Sequence, residues 1–204
     1  MKKLSKGRLF VLSGPSGCGK GTVCNMLLER NKNLKLSISA TTREQRFGEI
    51  DGETYFYLSK EQFEDMIKKQ ELLEYNQGYS GNYYGTPKKY VFEQLEKGFD
   101  VLLEIEMNGA KKIKEQYPES IGIFLSPPDL DELLNRLRGR GRESEELIQE
   151  RFLLAKEEIL RVDEYKYAVI NDDLFEAVKK IEDIISAEKS LTARIGDKIK
   201  NLVK

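Results

Sequence analysis

The chain of 204 residues contains no histidine and only two cysteines. Without an imidazole, a Ser-His-Asp triad, a His-Glu-x-x-His metalloprotease helix and every histidine general base are excluded, so chemistry must rest on lysine, arginine, carboxylates and metal. Cys18 and Cys24 stand six apart, which supports neither a disulfide framework nor a Cys/His zinc site and leaves two reduced, structural thiols. No stretch approaches the ~20 apolar residues of a membrane-spanning helix, and the opening MKKLSKGRLF carries lysines without an apolar run of signal-peptide length. A cytoplasmic protein with no membrane partner is expected. Net charge is lacking too: 34 basic and 35 acidic side chains nearly cancel, so no global field favours nucleic acid.

What is present is a repeated alternation of short apolar runs and amphipathic segments. Arg8 to Ser13 reads as a strand ending in a glycine-rich turn, and Lys20 to Arg30 as a helix through Val23, Met26 and Leu27. Strands are predicted again at Phe99–Ile105, Ser120–Leu125 and Lys166–Ile170, with helices at Ala110–Gln116, Asp129–Arg138, from Ser144 to about Val162, and from Asp173 onward. The β-α-β order predicts a parallel sheet covered on both faces. Residues 43–87 break the pattern, with tyrosines, glycines and short alternating runs around one helix from Glu61 to Lys69, and read as an inserted, partly antiparallel lobe. Ser59 with Gln62 forms a capping box for that helix, Thr86-Pro87 is expected to cap the next, and Lys198–Lys204 is expected to fray.

Ser13-Gly-Pro-Ser-Gly-Cys-Gly-Lys-Gly-Thr22 contains Gly-x-x-x-x-Gly-Lys immediately after a strand and opening a helix. Glycines there let backbone N–H groups converge on phosphate oxygens, the helix start adds positive potential, and Lys20 brings a point charge to the β- and γ-phosphates. The bland alternative is a tightly packed strand-to-helix corner. One position departs from the strict pattern: Gly21 stands where Ser or Thr would hold Mg²⁺, and the hydroxyl arrives one step later at Thr22. A compensating acid lies on Val101-Leu-Leu-Glu104, an apolar strand ending in a carboxylate like a Walker B strand, or else a solvated strand end. Arg43 and Arg46, three apart and accompanied by Tyr55 and Tyr84, offer two cationic forks and two phenols to one phosphate, unless they form a solvated basic loop. Arg136-Leu-Arg-Gly-Arg-Gly-Arg142 places four arginines in seven residues around two glycines, more than a helix end needs to balance its dipole.

These segments, with Ser39-Ala-Thr-Thr-Arg-Glu-Gln-Arg46, Gly48-Glu49, Asn82-Tyr-Tyr-Gly-Thr86, Gly139-Arg-Gly141 and Asn171-Asp-Asp173, resemble a guanylate kinase over nearly the whole chain. The resemblance implies an α/β P-loop fold of three layers with a central parallel sheet, an inserted small mixed-β lobe that binds GMP, and a helical lid. It places the P-loop core at 1–42 and 88–204, the lid at about 136–152, and the GMP lobe at 43–87. It implies transfer of the γ-phosphoryl group of ATP to GMP, with Mg²⁺ as cofactor and dGMP as a further candidate acceptor. ATP is expected on Gly14, Pro15, Ser16, Gly17, Cys18, Gly19, Lys20, Gly21 and Thr22, with Asn171 near the adenine. GMP is expected on Ser39, Arg43, Arg46, Tyr55, Glu74, Tyr84, Thr86 and Glu106. Lys20, Arg136, Arg140 and Arg151 are the catalytic candidates, with Arg138 and Arg142 left as surface charge. Glu104, through water, and Thr22 are the metal candidates.

The chain departs from the family pattern at three further places. Gln77–Ser80 holds one extra residue, Glu104-Ile-Glu106 replaces Asp-x-Asp, and Asn108 stands where Gln is usual. Rival readings are a non-catalytic guanylate-kinase-like interaction domain, against which Lys20 and the lid arginines argue; a GTPase switch, for which no Asn-Lys-x-Asp element is found; and another nucleoside monophosphate kinase, set apart by the pocket around Glu74. A monomer or small homo-oligomer is expected.

Overall fold

A computed structural model of the chain describes residues 7–78, 81–139 and 144–203. In chain order the elements are β1 (Leu9–Ser13), α1 (Lys20–Arg30), β2 (Leu34–Leu36), β3 (Ala40–Thr41), β4 (Phe56–Tyr57), α2 (Lys60–Lys68), β5 (Leu72–Gln77), β6 (Tyr83–Pro87), α3 (Lys88–Glu96), β7 (Asp100–Glu104), α4 (Met107–Gln116), β8 (Ile121–Ser126), α5 (Leu130–Arg138), α6 (Glu145–Ile159), β9 (Tyr167–Ile170), α7 (Leu174–Lys189) and α8 (Thr192–Lys200).

Five strands form a sheet in the order β2-β7-β1-β8-β9, every neighbouring pair parallel. β1 is buried at all five positions, as a central parallel strand covered on both faces must be, and its unbroken apolar run follows from that position. One face packs Phe10, Leu12, Leu102 and Ile123 against Val23 and Leu27 of α1 and Val178, Ile181 and Ile185 of α7. The other packs Val11, Val101 and Leu103 against Val91 of α3 and Ala110 and Ile113 of α4. Each such side chain contributes about 1.5–3 kcal/mol on leaving water, and the three-layer sandwich follows from having two apolar sheet faces to cover. The crossing from β1 to the neighbours on either side of it also puts the carboxyl ends of β1, β7 and β8 at one rim, where a doubly wound sheet opens a crevice.

The second sheet is smaller and mixed, in the order β4-β3-β6-β5, with β3 parallel to β4 and β6 antiparallel to both β3 and β5. Its own core is Ala40, Phe63 and Leu72, with Tyr83 stacked on Phe63. α2 closes it through the expected capping box, in which Ser59 Oγ accepts from Gln62 N–H and Gln62 Oε1 accepts from Ser59 N–H. A third cluster, Leu133, Leu137, Ile148 and Ala155, ties α5 to α6. Asp129 and Ser144 cap these two helices through their side chains.

Several local expectations shift. Thr86 does not cap α3: Pro87 holds the N-cap position with no side-chain bond, and the Thr86 hydroxyl turns instead to Glu74. α4 begins at Met107, and α6 ends at Ile159 before a short 3₁₀ turn at Val162–Glu164. The lysine-rich end is helical to Lys200 and turns once more over Asn201–Val203. Strands β2, β3 and β4, three or two residues long, are too short for any alternation to register.

Candidate active site

The phosphate loop joins β1 to α1 at the open rim. α1 has Gly19 at its N-cap with no side-chain cap bond, and its first internal bond runs from Val23 N–H to Gly19 carbonyl. The N–H groups of Gly21 and Thr22 are thus left for an outside acceptor at the positive end of the helix, while the Lys20 N–H turns to the Cys18 sulfur. Gly19 cannot be replaced at this corner: its φ is +95°, and a β-carbon there would stand 2.5 Å from Asn171 Nδ2. That amide nitrogen donates to the Cys18 carbonyl at 2.8 Å, so Asn171 braces the loop with the donor its expected adenine contact would use. Cys18 is buried, and burial raises its thiol pKa. Lys20 Nζ lies back across the loop, donating to the carbonyls of Gly14 at 2.6 Å and Pro15 at 3.2 Å.

Glu104 ends β7 beside β1 and faces Lys20 and Cys24. Burial raises its pKa, with the Lys20 charge opposing. A β-carbon on Gly21 would lie 3.7 Å from Glu104 Oε1, so the longer carboxylate reaches the space beside the residue that lacks a hydroxyl. Thr22 stands exposed one position further along α1. Among the described residues no cluster of three or more acidic or thiol groups could hold a metal unaided. One carboxylate at the mouth of a phosphate loop does suit a divalent ion held mostly by phosphate and water.

The second sheet gathers the acceptor candidates. Ser39 precedes β3, Arg43 follows it, Tyr55 precedes β4, Glu74 lies on β5, and Tyr84 and Thr86 lie on β6, with Thr41 opposite Tyr84. Arg43 sits 5.4 Å from the Tyr55 ring centre, and Tyr55 meets Tyr84 edge-on at 6.2 Å. Burial raises the Tyr55 phenol pKa. Sequence reasoning gave no role to Glu49, which organises this group: it takes Arg43 in a two-pronged bond at 2.8 and 3.0 Å, Arg46 N–H at 2.8 Å and Tyr57 hydroxyl at 2.7 Å. Those bonds, Arg43 foremost, hold its pKa down to about 2. The Arg46 side chain is exposed. Glu74 is buried, accepts from Thr86 Oγ1 at 2.8 Å, and has its pKa raised by burial. Glu106 is exposed at the N-cap of α4. Of Gln77–Ser80, the stretch that holds the extra residue, Tyr79 and Ser80 lie outside the described residues.

On α5, Arg136 Nε donates to Glu132 at 2.7 Å, and both its terminal nitrogens donate to the Asn171 carbonyl at 3.2 Å, anchoring the helix to the loop after β9. Arg151 is half-buried on α6. Arg138 is exposed and paired with Glu145 at 2.6 Å. Arg140 and Arg142 lie outside the described residues. α6 adds an acid that the reading missed: Glu158, half-buried near Lys20, Glu106 and Arg161, with its pKa raised chiefly by burial. Arg151, Ala155 and Glu158 follow i, i+4, i+7 spacing and share one helix face, and that was the signal available.

The model of the family described as guanylate kinase matches residues 6–188. A guanylate kinase of Clostridioides difficile (strain 630) is 56% identical over 191 residues, covering 94% of this chain and 93% of that one. One of Clostridium tetani (strain Massachusetts / E88) is 55% identical over 196 residues, covering 96% and 93%. Among solved structures, a crystal structure of guanylate kinase from Anaplasma phagocytophilum aligns with a TM-score of 0.76 at 34% identity, covering 93% of this chain and 90% of the other. With the phosphate loop, the tyrosine–arginine sheet and the buried Glu74 in one molecule, this chain belongs to the guanylate kinase family.

Proposed function

We propose that the protein transfers the γ-phosphoryl group of ATP to GMP, giving ADP and GDP, with the two sheets dividing donor from acceptor. On the donor side, the N–H groups of Gly21 and Thr22 and the Lys20 ammonium take the ATP phosphates. Lys20 exchanges two neutral carbonyls for anionic oxygens and follows the phosphoryl group as it moves. Mg²⁺ bound with ATP would neutralise the β- and γ-phosphates, held on the protein side through water by Glu104, with no hydroxyl at position 21. On the acceptor side, Arg43, Arg46, Tyr55 and Tyr84 take the GMP phosphate.

Glu74 accepts from guanine N1–H and the 2-amino group. Thr86 commits its proton to Glu74, which leaves Ser39 to donate to O6. Adenine presents a lone pair at N1, and an unpaired buried carboxylate rejects it by as much as ~10⁴-fold. Arg136, Arg140 and Arg151, carried on the lid segment, stabilise charge spread over the migrating group. The reaction draws on soluble nucleotides, consistent with a cytoplasmic monomer or small homo-oligomer; among the described residues no helix is long and apolar enough to cross a membrane.

What supports the reading most is the buried Glu74 carboxylate on the acceptor sheet, since phosphate grips alone would suit many nucleotides. A coupled ADP-release assay with Mg-ATP and GMP, dGMP, AMP, CMP or UMP tests it. GMP should turn over, with dGMP as the nearest competitor. Absence of GMP-dependent turnover would sink the activity, and comparable AMP turnover would sink the base assignment.

A further inference from the structure

The Glu74 carboxylate is confined on two sides. Its Oε1 accepts from Thr86 Oγ1 at 2.8 Å, and Thr86 is itself fully buried. Its Oε2 lies over the first turn of α4, where a β-carbon on Gly109 would stand 2.8 Å away, and 3.2 Å from the carboxyl carbon. A β-carbon does not approach oxygen that closely in a packed interior, so the bare backbone of Gly109 is a condition of this pose. Gly109 is buried in the third position of α4, where alanine would be the better helix former. Its presence in the helix is therefore explained by Glu74 and not by α4. The N-cap of α4 makes no side-chain bond, so the helix end beside the carboxylate keeps its positive potential.

We infer that Gly109 is a specificity-positioning residue: by lacking a side chain it lets the Glu74 carboxylate lie against α4, clamped between Thr86 and the helix, in the pose that reads the guanine edge. The inference rests on the base-recognition role proposed for Glu74. A methyl group at 109 forces the carboxylate to turn or α4 to shift, and guanine recognition suffers while the phosphate grip of Arg43 and the donor side stay as they are.

A double-mutant cycle tests this. Gly109→Ala should raise the GMP KM about tenfold and lower the GMP:AMP ratio of kcat/KM by a similar factor, with kcat at saturating GMP within about threefold and the ATP KM unchanged. GMP affinity by titration calorimetry without ATP should fall by the same factor. In a Glu74→Ala background the same substitution should move the GMP KM less than about twofold, because the group it displaces is gone. If Glu74→Ala does not fold, Glu74→Asp, shorter by one methylene, serves in the cycle, with a smaller Gly109→Ala penalty again expected. An equal penalty in both backgrounds, or no penalty beside intact Glu74, would overturn the positioning role alone. A Glu74→Ala enzyme that keeps its preference for GMP over AMP would overturn the base role, and the inference with it.

Discussion

The proposed donor and acceptor halves of the site are built from different materials. The phosphate loop is mainly backbone: the uncapped N–H groups of Gly21 and Thr22 at the start of α1, a left-handed Gly19, and an Asn171 amide that holds the loop by bonding its carbonyl. The acceptor sheet is mainly side chains held by other side chains, with Glu49 fixing Arg43 and Tyr57, and Thr86 fixing Glu74. Backbone donors carry no titratable group and lose little entropy on binding, so the loop's own grip is insensitive to pH and sensitive to strain. A side-chain site is the reverse: it can discriminate one base from another, and it responds to protonation.

The largest expected effect falls on the one cationic side chain of the phosphate loop. Lys20→Ala should lower kcat by about 10³-fold while GMP affinity, measured by calorimetry, stays within about twofold. A fall in GMP affinity of the same size would mean that the halves are not separable. On the acceptor side the split should invert. Arg43→Ala, which removes a charged two-pronged donor, should raise the GMP KM about 30- to 100-fold with a smaller change in kcat. Glu49→Gln keeps the shape but weakens the hold on Arg43, so a rise of about fivefold is expected. If Glu49→Gln were as damaging as Arg43→Ala, Glu49 would be more than an organiser.

Legibility in the sequence followed the same division. The P-loop could be read because its chemistry is contiguous: strand, glycines, lysine and helix arrive in order. The central strands β1, β7 and β8 could be read because burial on both faces demands an unbroken apolar run. The acceptor sheet could not be assembled from pattern, since β3 and β4 are two residues long and exist only through their neighbours. Individual acceptor residues came from the family resemblance, and the partners that position them did not. Glu49 looks like any exposed acid until the chain folds Arg43 and Tyr57 onto it, and the Thr86 hydroxyl, expected both at a helix cap and on GMP, has its acceptor in the Glu74 carboxylate on the neighbouring strand. Gly109 carries no local signal at all, because the group that requires it lies on β5, 35 residues earlier in the chain.

The acceptor half also holds two carboxylates displaced in opposite directions, which gives a pH test. Burial raises Glu74 above its ordinary value of 4.5, whereas Arg43 and its companions hold Glu49 at about 2. On acidification Glu74 takes up its proton before Glu49 and ceases to accept from guanine, so the GMP KM should rise from above pH 4.5, and this rise should be absent in Glu74→Gln. The stability signs also oppose. A raised folded pKa means that Glu74 costs stability above it, and that cost is recovered as pH falls through it. Glu49 contributes stability that is present above 4.5 and lost as pH falls through about 2. Comparing the Tm of Glu74→Gln with the parent across pH checks the first sign: any advantage of Gln should narrow on acidification, and a widening would refute the burial account.

The smallest effect should come from Arg138 on α5, and its neighbour Arg136 supplies the contrast. Arg136 and Arg138 lie two apart on α5 and therefore point to different sides of the helix. Arg136 is half-buried and bonded to the carbonyl of Asn171, whereas Arg138 is exposed and paired with Glu145 at the start of α6. An exposed ion pair contributes about 0–1 kcal/mol, less in salt. Arg138→Ala should therefore leave kcat and both KM values within about twofold and lower stability by no more than about 1 kcal/mol by denaturant titration. Arg136→Ala should cost kcat about 100-fold. Equal losses from the two arginines would mean that the lid acts by its net charge on the cleft, and that neither arginine is placed by the face of α5 it occupies.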